Sequence, residues 1–174
     1  MKRLLSLVTL AALAVAPSAA LSQSSAKSTS MVGVGPHGYD WLLGTWSCTN
    51  NTPSAISGPA TSAFTASRSG AGGSLMIRST GKGFDSTGYV TYAAQTKTWW
   101  GPEAYADGST ELESTKDTGN KATWTGTYTG AATGKTMSVR DMYTLVSPTK
   151  QLDVGQSQSG GTWKTLYTVT CTKS

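Results

Sequence analysis

From residue 37 onward the chain alternates between packed and wet positions. Lys121 to Thr129 (KATWTGTYT) shows this best: Ala122, Trp124, Gly126 and Tyr128 fall on one side, and Lys121 with four threonines falls on the other. Successive side chains of a strand point to opposite faces, so this stretch predicts a strand with one packed face and one wet face. Near the end, Trp163, Thr165, Tyr167, Val169 and Cys171 share one phase in the same way. Turn-forming runs recur at nearly even intervals, among them SGAGG (69–73), GKGFD (81–85), DTGN (117–120), GAATGK (130–135) and QSGG (158–161). The pattern predicts about ten strands, near 44–50, 60–68, 74–80, 86–93, 96–105, 109–116, 121–129, 136–146, 149–158 and 162–173, and no amphipathic helix of useful length. Such strands, joined by hairpins, leave two exposed edges unless the sheet closes. The expected fold is therefore all-β: an antiparallel up-and-down meander barrel of about ten strands, with the first and last strands paired.

The first residues depart from this pattern. MKRLLSLVTLAALAVAPSAALSQ has a basic start, an apolar run over 4–16 and small residues after it. That is the layout of a secretory signal peptide, assigned to 1–22, with a small, polar, Gly-rich leader over 23–36 and the barrel over 37–174. The expected location is periplasmic or secreted, with no membrane association once the signal is cleaved. Cleavage removes two of the 14 basic residues and none of the nine acidic ones, leaving a net charge of +3. The charges are scattered and form no basic track for a phosphate backbone, so nucleic acid is not an expected partner.

Two cysteines in an oxidising compartment are expected to pair. Cys48 lies in the first strand and Cys171 in the last. If they face each other in an antiparallel pair, Trp46 falls opposite Lys173 on the same face, where a cation can sit over the indole ring. One register thus accounts for a Cys48–Cys171 clasp and gives Trp46 a cationic lid. A reactive or intermolecular thiol is the alternative.

Gly44-Thr45-Trp46 at the start of the first strand resembles the G-x-W motif of the calycin superfamily, which includes lipocalins, fatty-acid-binding proteins and avidins. The resemblance implies that Trp46 closes the barrel floor under a basic residue of the last strand, a place Lys173 matches. It also implies a short 3₁₀ plug over Tyr39 to Leu43. The strand count is similar to the nitrobindin-like branch and a related bacterial family of unknown function. TWTGTYTG (123–130) and Trp163-Lys164 resemble avidin features. Avidins have eight strands, however, and LYTVTCTK lacks the aspartate they require, so biotin binding is a lesser reading. Haem in the nitrobindin-like branch needs a late histidine, whereas the one histidine here, His37, precedes the first strand. No cofactor is expected, although tyrosine ligation of haem stays formally open.

A ten-stranded barrel is wider than the eight-stranded barrels that side chains fill, so a cavity is expected. Alternation places Trp124, Tyr128, Trp163 and Tyr167 on packed faces, as lumen lining or as plain core. Arg140 and Asp141 are neighbours, so one of them points inward; Met137, Val139, Tyr143 and Leu145 share the phase of Asp141, which selects Asp141. A carboxylate there needs a partner or a ligand. Of Trp99 and Trp100 one faces out, and the phase of Lys97 and Glu103 selects Trp99, with Gly101-Pro102 marking a bulge. The expected ligand-binding set is Trp100, Trp124, Tyr128, Asp141, Tyr143, Trp163 and Tyr167. The structural set is Gly44, Trp46, Lys173 and the Cys48–Cys171 disulfide. An outward Trp99 would offer a homodimer interface.

Enzyme readings find little support. One histidine, no C-x-x-C and no visible His/Asp/Glu cluster argue against a metal. Glu111 and Glu113 share a face, but Leu112 takes the other, so the glutamates are expected to face water. The expected function is non-catalytic binding of a small apolar or aromatic ligand. The alternative is a structural or interaction module of the cell envelope, with a filled barrel and an adhesive face around Trp99.

Overall fold

Ten antiparallel strands follow one another along the chain: β1 (Gly44–Asn50), β2 (Thr61–Ser69), β3 (Ser74–Gly81), β4 (Phe84–Ala93), β5 (Thr98–Tyr105), β6 (Thr110–Thr115), β7 (Lys121–Thr129), β8 (Thr136–Ser147), β9 (Lys150–Ser159) and β10 (Thr162–Lys173). They come from a computed structural model that describes residues 37–53, 58–70, 73–117 and 119–174. The signal peptide and leader expected over 1–36 lie outside the described residues. Each strand pairs with the next, and β1 pairs with β10, so the sheet is a closed barrel. Every strand end falls within two residues of its sequence expectation.

Closure uses the register foreseen from the cysteines. Cys48 stands opposite Cys171 and Trp46 opposite Lys173. The disulfide forms, joining residues 123 positions apart. Trp46 is fully buried, and the Lys173 ammonium lies 5.4 Å from its ring centre. That ammonium also donates to the Trp41 carbonyl at 3.2 Å, while the Trp46 indole N–H donates to the Leu42 carbonyl at 2.8 Å. These two bonds hold the approach segment, a single 3₁₀ turn over Asp40–Leu42, across the barrel end. Arg68 of β2 pairs with Asp40 from outside.

The plug fills the floor. Tyr39 inserts between Trp99 and Trp124, edge-on to both, with ring centres 4.6 and 5.4 Å away. Its hydroxyl accepts a hydrogen bond from the Trp124 indole N–H at 3.1 Å. Leu42, Ala66, Leu75, Val90 and Ala122 complete this core. Burying such aromatic bodies contributes about 1.5–3 kcal/mol each, and T-shaped pairs add about 0.5–1.5 kcal/mol.

Trp99 is therefore an inward residue, 2 % exposed, and Trp100 is the outward one at 39 %. This corrects the expectation for both, and with it the proposed dimer face around Trp99. The expected bulge at Gly101-Pro102 is absent: β5 keeps one register against β6 from Trp99 to Ala104. Glu103 consequently follows Trp99 inward, so its charge was a misleading sign of an outer face. The register shifts fall elsewhere, at Leu145/Ser147 and Thr165/Tyr167.

The clasp should carry measurable stability. In the chain-entropy account a cross-link of this span contributes about 4–5 kcal/mol, which for a domain of this size moves Tm by on the order of 10 °C. Cys48→Ser and Cys171→Ser should lower Tm by similar amounts, and the double variant should lose no more than either single one. A silent single variant in a thermal melt would refute the clasp.

Candidate functional site

Above the aromatic floor the barrel is hollow. A cavity of about 670 Å³ reaches from the Trp124 ring to the turns at the far end. Its walls differ. Phe64 of β2, Ile77 of β3, Val90 of β4 and Val169 of β10 line one part. The rest carries carboxyl groups: Glu103 from β5, Glu111 and Glu113 from β6, Asp141 from β8 and Asp153 from β9. With Asp85 and Asp107, seven of the chain's nine acidic residues line this cavity.

Glycines are among their ladder partners. Glu103 stands opposite Gly88, Glu113 between Gly101 and Gly126, and Asp141 opposite Gly155. Missing side chains beside these carboxyls let neighbouring backbone and rings approach closely. At Gly126 a Cβ would lie 1.9 Å from the Leu112 carbonyl oxygen. At Gly155 a Cβ would lie 2.1 Å from the Tyr167 ring. That ring crosses the bare backbone and brings its hydroxyl to 2.8 Å from both Asp141 carboxyl oxygens, where it donates one hydrogen bond. Tyr105 similarly donates to Glu111 at 2.9 Å.

Other oxygens lack partners. Glu113 Oε1, Gln151 Oε1 and Asp153 Oδ1 are buried without a hydrogen bond. One carboxyl oxygen from each of Glu111, Glu113 and Asp141 lies within 4.8 Å of the other two, a grouping that could also hold a hard cation. The sequence reading missed this cluster, and its expectation that Glu111 and Glu113 face water is wrong. Leu112 is the exposed residue, at 47 %. A signal for the correct phase was present. Either hairpin register that centres the β6–β7 turn on DTGN (117–120) puts both glutamates on the Trp124 face, because opposed residues share a face.

The electrostatics follow from burial and crowding. Burial first, then the Asp141 charge, push Glu111 to about 8 and Glu113 to about 10. Asp141 rises only to about 6, because burial is opposed by the Tyr167 hydroxyl. Glu103 and Asp153 are raised as well, chiefly by burial. Among the described residues no lysine or arginine makes an ion pair with any of the five.

Five of the seven expected lining residues meet here: Trp124, Tyr128, Asp141, Tyr143 and Tyr167. Trp100 and Trp163 do not. Trp100 stands outside because the inward phase of β5 runs through Trp99, Gly101 and Glu103. Trp163 stands outside because β10 changes register: the shift between Thr165 and Tyr167 moves Trp163 and Thr165 off the face of Tyr167. On the outer wall Trp163 lies under Arg140, 4.4 Å from ring centre to guanidinium, and Arg140 also donates to Gln156 at 2.7 Å. His37 is exposed beside Asp40 at 3.2 Å, on the plug and away from the cavity.

The closed ten-stranded antiparallel barrel is compatible with a calycin-like fold, and it suits either a ligand-binding or a structural module. No family model matches the chain, and no curated protein is significantly similar to it.

The raised carboxyls fix the sign of the pH dependence. A carboxyl with a folded value above its unfolded value, about 4, binds more protons when folded. Its stabilising effect is complete below that unfolded value and is lost as pH rises through the folded one. Tm should therefore fall by several degrees between about pH 5 and about pH 9 at constant ionic strength. The Glu111→Gln/Glu113→Gln variant should flatten the slope and melt higher than the parent at the alkaline end. A flat or rising parental profile would contradict the buried carboxyl wall.

Proposed function

We propose that the protein is a non-catalytic binding barrel that holds a small ligand with apolar or aromatic surface, and that it works after export to the periplasm or medium. The cavity carries this reading. Its volume of about 670 Å³ lies inside the range of small-molecule sites, which are concave, largely apolar and furnished with a few polar groups. Phe64, Ile77, Val90 and Val169 supply the apolar surface; Tyr128, Tyr143 and Tyr167 supply aromatic edges. The disulfide is compatible with an oxidising compartment outside the cytosol. The G-x-W resemblance favours the lipocalin and nitrobindin-like side of the calycins.

An envelope interaction module is the second reading, and one observation favours it. Tyr89, Trp100 and Leu112 are exposed on the outer walls of three consecutive strands, at 41 %, 39 % and 47 %, with Pro102 of β5 paired to Leu112. Apolar groups clustered in this way mark contact surfaces.

The two readings separate with a neutral, environment-sensitive apolar dye such as Nile red. The folded protein should brighten it saturably. The lumen-filling variant Ile77→Trp/Val169→Trp should weaken that response at least tenfold while keeping a cooperative melt, and the outer-wall variant Leu112→Ser should leave it unchanged. Loss of the response in Leu112→Ser alone would overturn the lumen as the site. Recovery of a chemically altered ligand would replace passive binding with chemistry at the carboxyl wall.

A further inference from the structure

Resting on that reading of the cavity, we propose that its ligand is a cation: an amine with an apolar or aromatic body, whose ammonium group sits among Glu111, Glu113 and Asp141. Four observations converge on this class.

The first is charge placement. The chain holds 14 basic residues against nine acidic ones, yet the sign inside the barrel is reversed. Arg68 pairs with Asp40 and Arg78 with Asp85, and neither makes an ion pair with Glu103, Glu111, Glu113, Asp141 or Asp153. Arg140 lies on the outer wall over Trp163, and Lys173 lies under the floor with Trp46. The groups facing the three carboxyls are Glu103 and Tyr105 from β5, Tyr128 from β7, Tyr143 from β8, Asp153 from β9 and Tyr167 from β10. Each is neutral or acidic; Lys82, in the turn after β3, is the one basic residue lining the cavity, is exposed and makes no ion pair with them. A buried carboxylate without a counter-charge is costly, and a bound cation removes that cost.

The second is an excess of unpartnered acceptors: among the lining residues with a buried unpartnered polar atom, only Trp41 offers a donor, its indole N–H. Gln151 belongs to no part of the acidic trio. It is 3 % exposed and lines the cavity, and its amide oxygen has no hydrogen bond. Glu113, 6 % exposed, and Asp153 each leave a carboxyl oxygen unpartnered in the same lumen. The Gln151 oxygen is an acceptor in every state, and the two carboxyl oxygens are acceptors once those groups ionise. A complementary ligand brings N–H groups, and buried acceptors gain most from charged donors.

The third is geometry. Three N–H···O bonds of about 2.8 Å leaving one nitrogen at tetrahedral angles place their acceptors about 4.6 Å apart. The oxygens of Glu111, Glu113 and Asp141 lie within 4.8 Å of one another. Tyr105 and Tyr128, with ring centres 5.9 Å apart, flank Glu111 from the neighbouring strands and offer faces to a cation.

The fourth is the two-sided wall. Phe64, Ile77, Val90 and Val169 give the hydrocarbon part of the ligand a surface that the carboxyl side does not. A bare metal ion uses none of that wall and little of the 670 Å³.

Proton linkage gives a signature that neutral ligands lack. In the barrel free of cations burial raises both Glu111 and Glu113 above the usual carboxylate range. Seating an ammonium beside them favours their charged forms, so binding releases protons and strengthens as pH rises from about 5 to about 8.

The test is titration calorimetry on the exported, disulfide-bonded protein with 2-naphthylmethylammonium, its neutral isostere 2-naphthylmethanol, and Ca²⁺ alone, each in two buffers of different ionisation enthalpy. The ammonium should bind at least tenfold tighter than the alcohol and release protons. Glu113→Gln and Asp141→Asn should each bring the two affinities together while alcohol binding persists. Equal affinities in the parent protein would overturn the amine inference and leave the binding barrel standing. Failure of both organic probes would overturn the binding reading and the inference with it. Tight Ca²⁺ binding that excludes the ammonium would replace the amine with a metal ion.

Discussion

A sheet of ten strands cannot close on itself without enclosing more space than ordinary side chains fill, and most features of this molecule answer that constraint. Closure requires β1 and β10 to meet, and the Cys48–Cys171 link fixes them in a register that also sets Trp46 against Lys173. With the wall closed, one end is stopped by the turn over Asp40–Leu42. Tyr39 fills the floor between Trp99 and Trp124. The remaining length of the barrel has no such filler. Glycines at 88, 101, 126 and 155 stand beside the inward carboxyls and admit close neighbours there.

The same construction separates the stabilising groups from the destabilising ones. Large aromatic groups, a disulfide and shared hydrogen bonds concentrate at the floor. The upper lumen keeps groups that cost stability: crowded carboxyls raised by burial, and acceptors without donors. Groups perturbed in this way cluster at functional sites. Tyr167 moderates the perturbation at one point, lying across Gly155 to reach Asp141, which leaves Asp141 the most readily ionised of Glu111, Glu113 and Asp141.

Much of this was legible in the sequence. KATWTGTYT announced its own strand, and the cysteines at the two ends implied both closure and register. Arg140 and Asp141 sorted correctly because four apolar neighbours voted on one side. The failures share a cause. Assigning charged residues to the outer face works for a filled barrel and inverts in a hollow, polar one. Glu103 pulled Trp99 to the wrong side, and Leu112 pushed Glu111 and Glu113 to the wrong side. Trp163 failed for a different reason: one extra residue near Leu166 flips the phase within β10, and nothing in LYTVTCTK or the residues before it marks that shift. Hairpin register, which ties each strand's phase to its neighbour, is the stronger guide wherever the inside of a barrel is wet.

The central claim is a hollow barrel whose lumen holds a ligand, and native mass spectrometry of the protein exported into a periplasm tests it most directly. The account predicts a complex heavier than the disulfide-bonded chain, with a small molecule released on denaturation and no such adduct in the lumen-filled variant. An adduct that persists unchanged when the lumen is filled would contradict it.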